Sequence, residues 1–175
     1  MLIVNRYKEV LLKEFYLDSD DITIKRATNG YYSRWKQNDI VFGYKMCSYG
    51  YEGIHIPRTR ITVNKSHLLT LLRGIEIPDN SVIDHIDGNS TNNLRENIRI
   101  TSQAVNCRNA KARVNNSTGL NGIVKDRSGK YIVRLTVNGI RKYLGYRDTI
   151  EDALLLRNSY NNVRIQDGYT NRHGK

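Results

Sequence analysis

The chain has 175 residues, room for one domain or two small ones, and carries 28 Lys and Arg against 17 Asp and Glu, a formal net charge of +11. Two distant cysteines, Cys47 and Cys107, with no CxxC pair exclude a four-thiolate zinc site and fit a reducing compartment. No window approaches the ~20 apolar residues of a membrane span, and the opening apolar run is too short for a signal peptide, so a soluble cytoplasmic protein is expected.

In chain order, residues 7–17 predict a short amphipathic helix with Val10, Leu11, Leu12 and Phe15 on its apolar side. Short β-like runs follow at Ile22–Ala27, Asp39–Met46, Gly53–Ile56 and Arg60–Val63, with Asn29-Gly30 and Gly50 as turn signals. Residues 66–73 read as a helix, with Ser66 as N-cap and Gly74 as stop. Ser81–Ile86 is a predicted strand, Asp87-Gly88-Asn89 a turn, and Asn97–Thr101 a second strand. Thr101 or Ser102 then caps a helix to about Arg113. Asn115–Gly119 has linker composition. Leu120–Lys125, Lys130–Val137 and Ile140–Tyr146 predict three strands, turned at Ser128-Gly129 and Asn138-Gly139. Thr149 opens a last helix to about Val163, with Ile150, Ala153, Leu154, Leu156 and Tyr160 as its apolar face. In the middle strand the odd positions Tyr131, Val133, Leu135 and Val137 suit packing on that helix. The even positions, with Arg141 and Tyr143 of the next strand, suit an open face.

Charge is unevenly spread. Residues 1–100 hold 14 Lys/Arg and 12 Asp/Glu, net +2, whereas residues 101–175 hold 14 and 5, net +9. A basic half of this kind fits a polyanionic partner. An anionic membrane is the weaker rival, because no strongly amphipathic basic helix is present.

Asp84-His85 closes an apolar run, and Asn106 follows on the predicted helix. Hydrolysis of a phosphodiester needs a base for water and a cation for the charge that builds on phosphorus and on the leaving oxygen. An imidazole supplies the first. Hard oxygen ligands such as Asp84 and the Asn106 side chain suit Mg²⁺ or Mn²⁺ for the second. Asp87-Gly88 does not open a calcium loop, since the register would put Ile83 and Leu94 at its first and last ligand positions. Asn89, Asn92 and Asn93 read as turn formers. As a bare dipeptide, Asp84-His85 reads as an ordinary strand-end pair.

The longer run Val82-Ile-Asp-His-Ile-Asp-Gly-Asn, then Asn92-Asn-Leu-Arg-Glu-Asn-Ile-Arg, then Thr101-Ser-Gln-Ala-Val-Asn106 resembles the signature of HNH nucleases, above all phage and intron-borne homing endonucleases. That resemblance implies a ββα-metal module with one divalent ion, Mg²⁺ or Mn²⁺, on Asp84 and Asn106. It implies His85 as general base and Asn97 as brace for the loop that carries it. Many relatives have His where this chain has Asn106. His67, in Asn64-Lys-Ser-His-Leu-Leu, falls one residue off the register of a Val-His-Arg-Leu-like run in relatives and receives no catalytic role. If the chain is phage-encoded, its location is the host cytoplasm.

The C-terminal segment resembles the APETALA-type DNA-binding domain of ethylene-response factors, through Gly122-Ile-Val, Gly129-Lys-Tyr, Arg141-Lys-Tyr-Leu-Gly145 and the helix opened by Asp148-Thr149. This implies duplex DNA against Lys130, Arg134, Thr136, Arg141 and Tyr143. Lys125, Arg127 and Lys130, near the first hairpin, are expected to hold phosphates, and Arg134 and Arg141 to read guanine edges.

The expected class is α+β. Its parts are a strand-rich region at 1–63, a nuclease module at 64–113, a linker at 114–119, a sheet-plus-helix DNA-binding domain at 120–165 and a polar tail at 166–175. The expected function is metal-dependent DNA cleavage by a monomer. The rivals are a non-catalytic DNA-binding regulator and an RNA-binding or RNA-processing protein. The deep, narrow A-form groove disfavours the last.

Overall fold

A computed structural model describes residues 1–30, 35–46, 50–110, 116–137, 139–166 and 169. The architecture is mixed α+β, with four small antiparallel sheets and six helices among the described residues. The chain divides into two compact units, Met1–Gln103 and Ala104–Lys175. No helix among the described residues is long and apolar enough to cross a membrane.

The first unit opens with α1 (Ile3–Arg6) and α2 (Lys8–Glu14). The expected helix over 7–17 is therefore cut short. Phe15-Tyr16-Leu17 leaves it as strand β1, which pairs antiparallel with β2 (Ile24–Arg26). Phe15 and Tyr16, both of high β propensity, favour the switch, and pairing with Ile24–Arg26 fixes it. Arg26 lies between rings, its guanidinium 4.7 Å from the Phe15 centroid and 4.6 Å from that of Trp35. Of the expected strand at Asp39–Met46 only β3 (Tyr44–Lys45) forms, together with a single bridge from Ile40 to Lys25. It adds to β4 (Glu52–His55) and β5 (Thr62–Asn64) in a three-stranded sheet.

Helix α3 (Lys65–Leu72) starts one residue before Ser66, so Ser66 lies buried in its first turn. The N-cap position belongs to Asn64, which makes no side-chain capping bond. Gly74 ends the helix with φ +73, the left-handed conformation that a C-terminal stop requires. The core gathers around α3. Leu68 and Leu69 are fully buried with Leu11, Phe15, Ile24, Ile54, Ile56 and Val63, and Ile83 of the next strand joins them. Each such side chain contributes roughly 1.5–3 kcal/mol on leaving water.

Strands β6 (Ser81–His85) and β7 (Ile98–Ser102) form an antiparallel pair. A single 3-10 turn at Arg95–Asn97 precedes β7, so Asn97 stands on the turn and not in the strand. Helix α4 (Gln103–Arg108) follows at once, and the division between the two units falls just inside it. The expected extension of this helix to Arg113 runs into residues 111–115, outside the described set, as does part of the expected linker.

In the second unit β8 (Ile123–Lys125), β9 (Tyr131–Val137) and β10 (Ile140–Arg147) form one antiparallel sheet in the order β10-β9-β8. Val137 pairs with Ile140, so the connection has two residues. Gly139 adopts φ +76, and Asn138 lies outside the described residues. Thr149 caps α5 (Ile150–Asn158), its side chain accepting from the Asp152 amide at 3.1 Å. The expected helix to Val163 is interrupted at Ser159-Tyr160 and resumes as α6 (Asn161–Gln166). Ile123, Val133 and Ala153 make the fully buried centre of this unit, with Leu154 and Leu156 packed beside them. Tyr160 is exposed, and buried Arg157 occupies the face instead. The tail from 166 lies mostly outside the described residues.

Leu69→Ala should lower stability by ~2–5 kcal/mol, since the cavity would open among fully buried neighbours. Urea unfolding of the full chain reads this directly.

Candidate functional site

Strand pairing sets Asp84 opposite Arg99 and His85 opposite Ile98. Both acidic and basic members of the Asp84-His85 pair are about 5% exposed. Arg99 Nε donates to Asp84 Oδ2 at 2.9 Å, and its Nη2 lies 2.7 Å from the same oxygen. The carboxylate is thus held by a cross-strand ion pair. His85 is the last residue of β6, which stops one residue short of the expected end at Ile86.

The His85 ring is fixed from the loop beyond it. Its Nε2 lies 3.1 Å from Asn93 Oδ1. Asn93 Nδ2 donates to the Thr91 carbonyl at 3.3 Å, which turns the amide oxygen toward the imidazole. Nε2 therefore carries the hydrogen in the neutral ring, and Nδ1 is the basic nitrogen. Asn93 is held in turn by Arg73 of the α3 C-terminus, whose Nη2 donates to the Asn93 carbonyl at 3.0 Å and to the Asp21 carbonyl at 2.6 Å. Tyr51 closes another side, its ring centroid 6.4 Å from that of His85.

Asn97 laces the loop that follows His85. Its Oδ1 accepts from the Asp87 amide at 3.0 Å, and its Nδ2 donates to Asp87 Oδ1 at 2.9 Å and to the Asn92 carbonyl at 2.8 Å. The Asn97 carbonyl accepts from the Ile86 amide at 2.8 Å. Burial raises the Asp87 carboxyl pKa. Hydrogen bonds from the Asn89 amide, Asn92 and Asn97, with the nearby His85, outweigh that and leave it below the ordinary carboxylate value. The loop is thereby a closed polar network on a buried amide.

His67 of α3 also belongs to this neighbourhood, which the sequence did not reveal. Burial lowers its pKa from 6.5, and the charge of His85 lowers it further, so the His85 ring lies close enough to be felt at His67. His67 Nδ1 is buried with no hydrogen-bond partner. Arg73, Asn93, Arg99 and Tyr51 were likewise missed. Asn93 and Arg99 lie within the motif run without a role there, Tyr51 and Arg73 lie outside it, and only cross-strand register and loop closure bring the four in.

Asn106 is half-buried on α4, in the second unit. Among the described residues no three His, Cys, Asp or Glu side chains converge on one point.

The DNA-facing residues named from the sequence share the second unit. Arg134 and Thr136 stand on one side of β9, cross-strand from Tyr143 and Arg141 respectively. The other side is closed by Val133, Leu135 and Val137 against the helix layer, so the alternation holds. Between Tyr143 and Gly145 the register shifts by one residue. This bulge at Leu144 brings Tyr146 onto the same open side as Tyr143, their ring centroids 5.6 Å apart and edge-on. Tyr146 was not anticipated, although a glycine inside a strand pattern is the signal for such a bulge. Lys125 lies opposite Tyr131 with Nζ 5.6 Å from its ring centroid, on the helix side of the edge strand. Arg127 is exposed in the hairpin, and Lys130 pairs with Asp148 at 3.2 Å, both exposed.

The lowered pKa of His67 means that its protonation costs more in the folded chain than in the unfolded one. Its stabilising contribution is complete above 6.5 and disappears as pH falls through the lower folded value. Urea midpoints of the wild type should fall between neutral and mildly acid pH, and His67→Gln should fall less over the same interval.

No family model, curated protein or solved structure matches the chain.

Proposed function

We propose that the chain is a metal-dependent DNA endonuclease of the HNH type, of the homing or free-standing phage kind. The observation that carries this reading is the His85 setting: a buried imidazole at a strand end, with Nε2 bonded to Asn93 and the next loop laced to Asn97. A general base must be held in one tautomer and one orientation, and this network does both. Proton removal from water at Nδ1 of His85 would contribute ~10²–10⁴-fold.

Asp84 and Asn106 would hold the divalent ion. Their donor set, one carboxylate and one amide oxygen, fits a hard cation of the Mg²⁺ or Mn²⁺ kind and leaves positions for phosphate oxygens and water. When bound, that ion supplies charge neutralisation at the phosphorane and the leaving oxygen. Asn97 keeps the loop after His85 in shape, and Arg99 keeps the Asp84 carboxylate fixed in position. In the second unit, Arg134, Thr136, Arg141 and Tyr143 would meet the duplex, with Tyr146 beside them. Arg127, Lys125 and Lys130 would hold backbone phosphates.

One observation favours a second reading, a DNA-binding protein that does not cut. Two nitrogens of Arg99 already engage Asp84 Oδ2, which is also how a purely structural carboxylate is satisfied.

Incubation of the pure protein with supercoiled DNA separates the two. Nicking with Mg²⁺ or Mn²⁺, abolished by chelator, is expected. His85→Ala should lose at least ~10²-fold in cleavage rate while duplex affinity stays within a few-fold. Asn106→Asp should retain more activity than Asn106→Ala, because it keeps an oxygen donor. Tight binding with no nicking under any metal would establish the second reading.

Selection experiments on the sheet give a further expectation. Arg134→Ala should relax preference at one base position, where a bidentate arginine–guanine pair gives ~1–3 kcal/mol of discrimination. Lys130→Ala should weaken all sequences alike.

A further inference from the structure

Two buried guanidinium groups in the second unit lie near each other, and neither has a carboxylate partner among the described residues. Arg157 of α5 is 3% exposed and Arg164 of α6 is 5% exposed. Burial lowers the pKa of both, and the charge of Arg164 lowers that of Arg157 further. Their partners are neutral. Arg157 Nη1 donates to the Asn121 carbonyl at 3.1 Å, and Arg164 Nη1 to Asn161 Oδ1 at 3.2 Å. Arg157 Nε is buried with no partner. A buried cation without a counter-charge is costly.

An open pocket shows where a counter-charge fits. Arg164 lines it together with Arg134, Thr136 and Arg141 of the sheet, Asn121 and Tyr169, and among the described residues no acidic one contributes to its wall. Thr136 and Arg141 are cross-strand neighbours, so hydroxyl and guanidinium converge from the sheet side. Tyr169 is held between two arginines, its ring centroid 5.2 Å from the Arg164 guanidinium carbon and 5.7 Å from that of Arg108. At Gly122 any larger residue fails, since φ is +84 and a Cβ would stand 2.5 Å from the Arg134 carbonyl oxygen. Arg157, through Asn121, keeps this turn against the strand.

We propose that this pocket binds one phosphate of a nucleic-acid backbone, with Arg164 as its buried anchor and Arg141 and Thr136 as its outer donors, while Arg134 at the rim stays free to meet a base edge. Two guanidinium forks and a hydroxyl match an oxyanion with several acceptor oxygens. The pocket adjoins the open sheet face, so a strand lying along that face would be anchored at its edge by α6. The inference rests on the nucleic-acid half of the function proposed above and not on the hydrolytic half, since none of its residues belongs to the Asp84–Asn106 constellation.

The test uses the full chain in two arms. In the first, binding to a mixed-sequence duplex is followed against salt. Arg164→Gln should weaken it about tenfold or more and reduce the salt slope by about one. Arg164→Lys should recover part of the loss. In the second, inorganic phosphate should raise the unfolding temperature of the wild type over chloride at equal ionic strength, and should not raise that of Arg164→Gln. Thr136→Val, a half-buried near-isosteric change, carries both arms if Arg164→Gln does not fold, with a several-fold loss of duplex affinity expected. Protection by phosphate with an unchanged duplex slope would assign the pocket to the free ion and overturn the backbone assignment. No change in either arm would make Arg164 a packing residue and overturn the proposal outright. A chain that binds duplex as described and never cuts leaves this inference standing while the nuclease reading falls. A chain that binds no nucleic acid overturns the backbone assignment, and the phosphate arm then reports the pocket alone.

Discussion

The amide of Asn97 makes three hydrogen bonds inside one turn, and the connection from β6 to β7 takes its shape from them. An amide offers donors and an acceptor on one rigid plane, so a single side chain can tie a backbone N–H, a carboxylate and a carbonyl at once. Because Asn97 is 8% exposed, water competes poorly for those bonds. The strand pair, the end of β6 at His85 and the return of Asn93 to the imidazole all follow from this closure. Replacement of that amide by an apolar group would strand the Asp87 amide and the Asn92 carbonyl as well as the loop, a larger penalty than one lost contact.

The support for His85 comes from two directions with different chemistry. From the loop, Asn93 fixes the tautomer. From the helix layer, Arg73 fixes Asn93, its side chain 2% exposed and its Nε 3.0 Å from Asp21 Oδ2. A buried arginine that bonds two backbone carbonyls and a carboxylate joins three separate chain segments, around residues 21, 73 and 93. The imidazole thus sits on a scaffold assembled from remote parts of the first unit, the arrangement expected when a ring must not rotate.

Much of this could be read from residue order. Asp84 and His85 at a strand end, the turn at Asp87-Gly88, and the in-out alternation of Tyr131–Val137 follow from period and turn chemistry. What escaped the sequence is what depends on register between strands. Arg99 meets Asp84 only because β6 and β7 pair as they do. His67 approaches His85 only because α3 packs under the same core. The N-terminal helix was over-extended because its period continues through Phe15, whereas pairing with Ile24–Arg26 decides the matter. In the final helix Leu154, Leu156 and Tyr160 share a spacing that runs past the break at Ser159-Tyr160, and the burial of Arg157 on that face is invisible to any hydrophobic count.

The bulge at Leu144 bears on how this sheet could change its chemistry. Side chains along a strand are assigned to faces by odd and even position, and one extra residue inverts the assignment for everything beyond it. Tyr143 and Tyr146, three apart and so of opposite parity, stand together only because the offset lies between them. The outer surface of β10 can therefore be rewritten by sliding the offset along the strand, with no side chain replaced. The same slide exchanges inner and outer residues between the old offset and the new one, so Leu144, packed on the buried cluster beside α5, limits where the offset can go.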